Sequence, residues 1–302
     1  MGKTLFITDL DGTLLDNDQK ISDSSLTLIN HAIARGALFS VATARTPATV
    51  SRIMRGVDMR LPMVVMTGAA LWDMGTGLYS EVQNFKPGEV TRIIDAYNQA
   101  GSGAFLYTLK RNNPLDAKKD VRGGVGPDLA PASKGAIEIY HFGEMTEMEK
   151  RFMLERIDNP YKRFYVDEKG GSKLPDHIDN AVLFFGIRPD REGMIAYDNI
   201  RGINGINPMY YHDWFGPEVA EVEAFPAGAT KALAIKRLAK LAGADRIMVF
   251  GDNRNDLSMM AVADWAVAVD NALDEVKEAA DEVIGSNDSD AVARKILEEI
   301  NR

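Results

Sequence analysis

Apolar positions in the first eighty residues alternate between short unbroken runs and spaced stripes. Leu5-Phe6-Ile7 reads as a buried strand. From Ser22 to Arg35, Leu26, Ile29 and Ile33 share one face of a predicted helix that Gly36 stops. The run Leu38-Phe39-Ser40-Val41-Ala42 predicts a second strand, and a helix follows from about Pro47 to Arg55. A third run, Met63-Val64-Val65-Met66, ends at Thr67-Gly68. The same grammar returns late in the chain. Ala229 to Leu241 predicts a helix ending near Gly243, and Arg246 to Phe250 a strand ending at Gly251-Asp252. A further helix, the strand Ala266 to Val269, a helix from about Ala272, the short strand Glu282 to Ile284 and a closing helix from Ser289 to Ile300 complete it. Continuous apolar strands separated by amphipathic helices predict an α/β core built on a Rossmann-like parallel sheet.

Between these stretches the order changes. Helices at Pro87 to Ala100, Thr146 to Ile157 and Asp190 to Asn199 interleave with strands at Ala104 to Thr108, Ala136 to Tyr140, Arg163 to Val166 and Ala181 to Ile187. That pattern predicts an antiparallel α+β module inserted into the core, occupying residues 86–215 between core segments 1–85 and 216–302. Two neighbouring linkers would give it a hinge that opens and closes over a site. The Gly/Pro-rich stretch Arg111 to Pro131 is expected as a long loop or lid.

With 302 residues the chain can bury a sizeable core in one large or two medium domains. A net charge of -9 argues against a non-specific nucleic-acid role, because phosphate backbones need a basic surface. The absence of cysteine excludes disulfides and thiolate metal sites. No apolar stretch is long enough to span a bilayer, and Met1-Gly2-Lys3-Thr4 leads directly into the first strand. A cytoplasmic protein is therefore expected, a chain that has lost a signal peptide being the alternative.

The chemistry concentrates at strand ends, where ligands bind in open parallel sheets. Asp9-Leu10-Asp11-Gly12-Thr13 puts two carboxylates at the end of strand one, and Gly12 permits a sharp turn. Crowded carboxylates raise each other's pKa, and a hard divalent cation with oxygen ligands relieves that cost. Thr43 and Arg45 follow strand two, Thr67 strand three, and Gly251-Asp252-Asn253-Arg254-Asn255-Asp256 the late strand. Lys231 lies in the first turn of the preceding helix. Taken singly, Lys231 reads as a solvated helix lysine and Thr43, Asn255 and Asp256 as caps; the Asp-Gly pair reads as an ordinary turn. Together they suit phosphoryl transfer. One carboxylate attacks phosphorus, Mg²⁺ offsets charge, Lys231 and Thr43 donate to the equatorial oxygens, and the second carboxylate exchanges protons.

In these residues the chain resembles a haloacid dehalogenase-superfamily phosphatase of the Cof type, which carries a large α/β cap. Asp9-Leu10-Asp11-Gly12-Thr13 matches the first motif, Thr43 after Val41-Ala42 the second, and Lys231 in Gly228-Ala229-Thr230-Lys231 the third. The run from Gly251 to Asp256 matches the fourth. Two positions depart from the pattern: Ala232 replaces the glycine common after the lysine, and Thr43-Ala44-Arg45 stands for Ser-Gly-Arg. Both keep the hydroxyl or ammonium. The resemblance implies a Mg²⁺-dependent phosphomonoesterase with Asp9 as nucleophile and Asp11 as general acid and base. It implies that the Asp9 side chain, the Asp11 backbone carbonyl and Asp252 hold the metal, with Asp256 supporting them. Thr43, Lys231 and Asn255 would contact the phosphoryl group. Small phosphorylated metabolites such as sugar phosphates are the expected substrates, selected by the cap, with no nucleic-acid or membrane partner.

Three rival readings remain at this point. A phosphomutase of the same superfamily would return the phosphoryl group to a sugar. A silent regulator would use the acid pocket for binding alone. A response-regulator receiver shares acids and a lysine but is shorter. The histidines His31, His141, His177 and His212 are scattered, His31 reading as structural. Tyr210-Tyr211-His212-Asp213-Trp214-Phe215 reads as packing at the hinge, and Lys118-Lys119 and Arg122 as solvated loop charges.

Overall fold

The computed structural model describes residues 2–109, 137–159, 161–166, 174, 178–212 and 215–302. The chain divides into two compact units, 1–81 with 230–302, and 82–229.

In the first unit, β1 (Thr4–Thr8), β2 (Leu38–Val41), β12 (Arg246–Gly251), β13 (Trp265–Val269) and β14 (Glu282–Ile284) form a parallel sheet in the order β14-β13-β12-β1-β2. β1 is an interior strand buried on both faces, which is why Leu5-Phe6-Ile7 needs no alternation. The helices of this unit are α1 (Asp23–Ala34), α2 (Pro47–Ile53), α6 (Lys231–Ala242), α7 (Leu257–Met260), α8 (Asp274–Ala279) and the closing α9 (Ala291–Ile300). The Ser22 side chain caps α1 by accepting from Ser25 N, and Ile29, Ala32 and Ile33 form its buried face. His31 lies exposed on the same helix.

The third apolar run takes a different partner from the one its pattern predicts. β3 (Met63–Val65) meets the parallel sheet only through a bridge from Val64 to Ala42. Left-handed backbone at Met66, Thr67 and Gly68 (φ 51°, 55° and 95°) then reverses the chain. As a result β3 pairs antiparallel with β4 (Ala70–Trp72), which pairs with β5 (Tyr79–Ser80).

The second unit has one six-stranded sheet, ordered β10-β11-β9-β6-β7-β8. Its strands are β6 (Ala104–Leu109), β7 (Ile137–Phe142), β8 (Lys162–Tyr165), β9 (Ala181–Pro189), β10 (Ile206–Tyr211) and β11 (Val219–Pro226). Helices α3 (Pro87–Gln99) and α5 (Asp190–Arg201) pack on one face, with Ile93, Tyr97, Ala196 and Ile200 against Leu106, Phe142, Phe184 and Val222. On the other face α4 (Glu147–Leu154) sets Phe152 against Phe105 and Phe185, ring centroids 5.5 and 5.3 Å apart. The sheet is antiparallel except for β7 and β8, which run parallel because α4 crosses between them.

This unit extends beyond residue 215, the boundary drawn from the sequence pattern. β11 pairs on both sides with β9 and β10, so the chain leaves the unit after 229. Tyr210, half-buried, and His212, exposed, consequently belong to this unit and not to a crossing. The Tyr210 hydroxyl donates to Asp190 Oδ1, which also lies 2.7 Å from His212 Nε2. His141 is buried beside Glu149 (3.3 Å). The stretch 111–131, Lys118, Lys119, Arg122, His177, Asp213 and Trp214 lie outside the described residues.

Candidate active site

The site is assembled by the register of the central strands. Thr8 of β1 lies opposite Phe250 of β12 on one side and Val41 of β2 on the other, so the three strands end at one edge. Asp9 continues β1 in extended conformation, its N–H donating to Phe250 O at 2.9 Å. A single wide turn, Leu10–Leu14, follows and is closed by Leu15 N donating to Leu10 O. Inside it Asp11 stays extended and Gly12 turns left-handed at φ 73°. A Cβ at residue 12 would sit 2.4 Å from Asp252 Oδ2, so only glycine lets these two loops approach.

Lys231 reaches the same place from α6. The Thr230 side chain caps this helix by accepting from Leu233 N at 3.2 Å. Lys231 is its first residue and is fully buried, and its Nζ donates to Asp9 Oδ1 and Asp256 Oδ1 at 2.7 Å each. The other Asp256 oxygen accepts from the N–H groups of Asp252 (3.0 Å) and Asn253 (3.1 Å), which uses up that carboxylate. A Cβ on Gly251 would lie 2.6 Å from Asp256 Cβ, so this loop too needs its glycine. Thr13 Oγ1 donates to Asp252 Oδ1 at 2.7 Å.

Asp9, Asp252 and Asp256 offer carboxylate oxygens within 4.8 Å of one another. Three acids face one ammonium. Burial pushes the Asp9 pKa up to about 8; Lys231 opposes the rise, and Asp256 and Asp252 add to it. Asp252 is raised to about 6, again chiefly by burial, against the Thr13 hydrogen bond. Burial works against the Lys231 ammonium, yet Asp9 and Asp256 together hold its pKa above the lysine range. Among the described residues, Asp9 and Asp252 each keep one oxygen with no donor. An all-oxygen set with uncompensated negative charge fits a small hard divalent cation.

Thr43 is buried at the end of β2, its Oγ1 accepting from Arg45 N at 3.1 Å. Asp11 stands apart from the acid cluster. Its carboxylate is gripped by the Arg45 guanidinium, Nε to Oδ2 at 2.7 Å and Nη2 to Oδ1. Asn255 is exposed on the turn Arg254–Asp256, and its side chain makes no hydrogen bond among the described residues.

The family model for haloacid dehalogenase-like hydrolases matches residues 6–173 and 201–296. The chain belongs to this family. Among curated relatives, the hydrolase is 26% identical over 291 residues to the 5-amino-6-(5-phospho-D-ribitylamino)uracil phosphatase YwtE of Bacillus subtilis, covering 94% of each chain. Among solved structures it resembles a haloacid dehalogenase-like hydrolase from Bacteroides thetaiotaomicron (TM-score 0.69, 22% identity, 98% and 99% of the two chains). It also resembles a subclass IIB sugar phosphatase of the same superfamily (TM-score 0.63, 19% identity, 98% of each chain). Both likenesses are of fold. No helix among the described residues is long and apolar enough to cross a membrane.

Three residues of the hydrolase carry site contacts that their sequence positions did not assign: Thr13 on Asp252, Arg45 on Asp11, and Gln19, whose Oε1 accepts from Arg45 Nη2 at 2.9 Å. Thr13 and Arg45 sit inside or beside recognised motifs, which was the available signal. Gln19 had none.

Proposed function

We propose that the chain is a Mg²⁺-dependent phosphomonoesterase acting on small phosphorylated metabolites, sugar phosphates among them. The observation that supports this most is the buried Lys231 ammonium holding Asp9 and Asp256 together at 2.7 Å beside Asp252. Catalysis is assigned to the unit 1–81 with 230–302, which contains every candidate residue, and substrate selection to the inserted unit.

The Asp9 and Asp252 carboxylates and the Asp11 backbone carbonyl would hold Mg²⁺, which when bound offsets charge so that two anions can approach. An Asp9 oxygen forms a bond to phosphorus while the ester P–O bond breaks, its electron pair staying on the leaving oxygen. Asp11 gives that oxygen a proton. Water then attacks phosphorus, returns a proton to Asp11, and breaks the Asp9–phosphorus bond to release inorganic phosphate. Lys231 and the Thr43 hydroxyl donate to the equatorial oxygens, with Asn255 a third contact. Asp256 acts by fixing Lys231 and the backbone of Asp252.

The test is phosphate release from a panel of metabolites with Mg²⁺ and with EDTA. Activity should require the metal, and Asp9→Asn should abolish it, a loss of about 10³-fold or more, with unchanged far-ultraviolet circular dichroism. An active Asp9→Asn chain removes Asp9 from its role.

A further inference from the structure

A close approach in the site falls on a glycine, the residue with the widest backbone freedom. Gly12 stands so near Asp252 that a Cβ on it would lie 2.4 Å from Oδ2. The peptide that follows carries the Gly12 carbonyl and leads to Thr13, whose Oγ1 donates to Asp252 Oδ1 at 2.7 Å. Rotation of that one peptide would disturb both contacts on Asp252.

The loop 270–273, between β13 and α8, restrains it from outside the acid cluster. Asn271 Nδ2 donates to Gly12 O at 2.7 Å. The Asn287 N–H donates to Asn271 Oδ1 at 2.9 Å, which orients the amide with its nitrogen towards the turn. The Asn287 side chain reaches the far end of the same turn, Nδ2 donating to Leu15 O at 2.8 Å. From the same loop as Asn271, Leu273 N donates to Asp252 O at 3.0 Å. One short loop therefore grips the backbone on both sides of the approach between Gly12 and Asp252. Asn271 is exposed, so it adds little to the core.

We propose that Asn271 is a positioning residue: by pinning the Gly12 carbonyl it sets Asp252 for the divalent cation. This rests on the reading of the acid cluster as the Mg²⁺ site of a phosphatase. Mg²⁺ demands near-ideal ligand geometry, so a displaced Asp252 carboxylate holds it less tightly.

The test is Mg²⁺ binding to the metal-free chain by isothermal titration calorimetry, beside Tm measured without metal. Asn271→Asp keeps the size of the side chain and the acceptor for Asn287 N–H, and lacks only the donor to Gly12 O. It should raise the Mg²⁺ Kd about tenfold or more. Its added negative charge alone would tighten cation binding, so a weaker complex reports the lost donor. Asn271→Ala should raise the Kd in the same direction. Asn30 makes the same two-sided contact elsewhere, donating to Gly56 O and accepting from Asp58 N at 2.8 Å each. Asn30→Asp should leave the Mg²⁺ Kd unchanged. An unchanged Kd in both Asn271 variants, whatever their Tm, overturns the positioning role while the Mg²⁺ site stands. An equal rise in Asn30→Asp traces the effect to general loosening and overturns it too. A wild-type chain that binds no Mg²⁺ and releases no phosphate overturns the phosphatase reading, and the role of Asn271 with it.

Discussion

Lys231 decides the electrostatics of the site, because one ammonium is shared by two buried carboxylates. Removing one partner of a buried ion pair leaves uncompensated charge and costs about 3–5 kcal/mol. Lys231→Met should therefore lower unfolding stability by about that amount in chemical denaturation at pH 8, and by less at pH 5.5, where the orphaned acids can take up protons. The intact chain should show its own pH dependence. Asp9 and Asp252 titrate near 8 and 6 in the fold against 3.8 in the unfolded chain. Below pH 4 both states hold these protons. Between pH 4 and 6 the unfolded chain has released both protons and the folded chain keeps them, and between pH 6 and 8 the folded chain keeps only the Asp9 proton, so this contribution to stability falls as pH rises through both windows. Mg²⁺ acts in the opposite sense, since binding displaces those protons. The expected result is a Mg²⁺-induced rise in Tm that is larger at pH 8 than at pH 5.5, and smaller in Asp9→Asn. A rise independent of pH would remove the cation from this cluster.

At the scale of elements, the wide turn Leu10–Leu14 follows Asp9 at the end of β1 and meets the acid loop after β12. Gly12→Ala adds a Cβ 2.4 Å from Asp252 Oδ2 and forces a left-handed alanine, a backbone cost of about 1–2 kcal/mol. Asp252 must shift, so a Mg²⁺ titration of activity should show the half-saturating concentration rising about tenfold or more. The elements that sequence pattern exposed were those governed by local rules: β1, β2, β12 and β13 as unbroken apolar runs, and α1 and α6 through their caps and stop glycines. β10 was hidden by Pro208, tolerable because this strand lies at the sheet edge. β11 was hidden by Glu221 and Glu223, acids on one face of an otherwise apolar strand; burial raises Glu223 to about 7. β3 changed partners because three successive left-handed residues, two of them not glycine, reversed the chain. In the site, the acids, Thr43 and Lys231 were legible because each ends or begins an element of clear periodicity. The Arg45 contacts, spanning 34 residues to Asp11 and 26 to Gln19, depend on tertiary placement that no local pattern encodes.

For the whole molecule, the proposed division of labour between the two units makes a separable prediction. The chain passes between them near 81–82 and 229–230, and the inserted unit contains its own core, Phe85 to Ala224, with none of the candidate catalytic residues. The parallel sheet draws no strand from it. Replacing residues 82–229 by a short Gly/Ser linker between Glu81 and Thr230 should therefore leave a folded chain with the acid cluster and Lys231 in place. Hydrolysis of p-nitrophenyl phosphate should persist and still require Mg²⁺, because its leaving group needs little recognition. Discrimination among metabolites should collapse, since contacts to a leaving group separate related substrates by about 10- to 200-fold each in kcat/KM. The measurement is the spread of kcat/KM across one panel for the full and excised chains. An excised chain that keeps the full ranking would place specificity in the first unit. One that cannot fold, judged by its circular dichroism and unfolding transition, would show that the parallel sheet depends on the insertion for its stability.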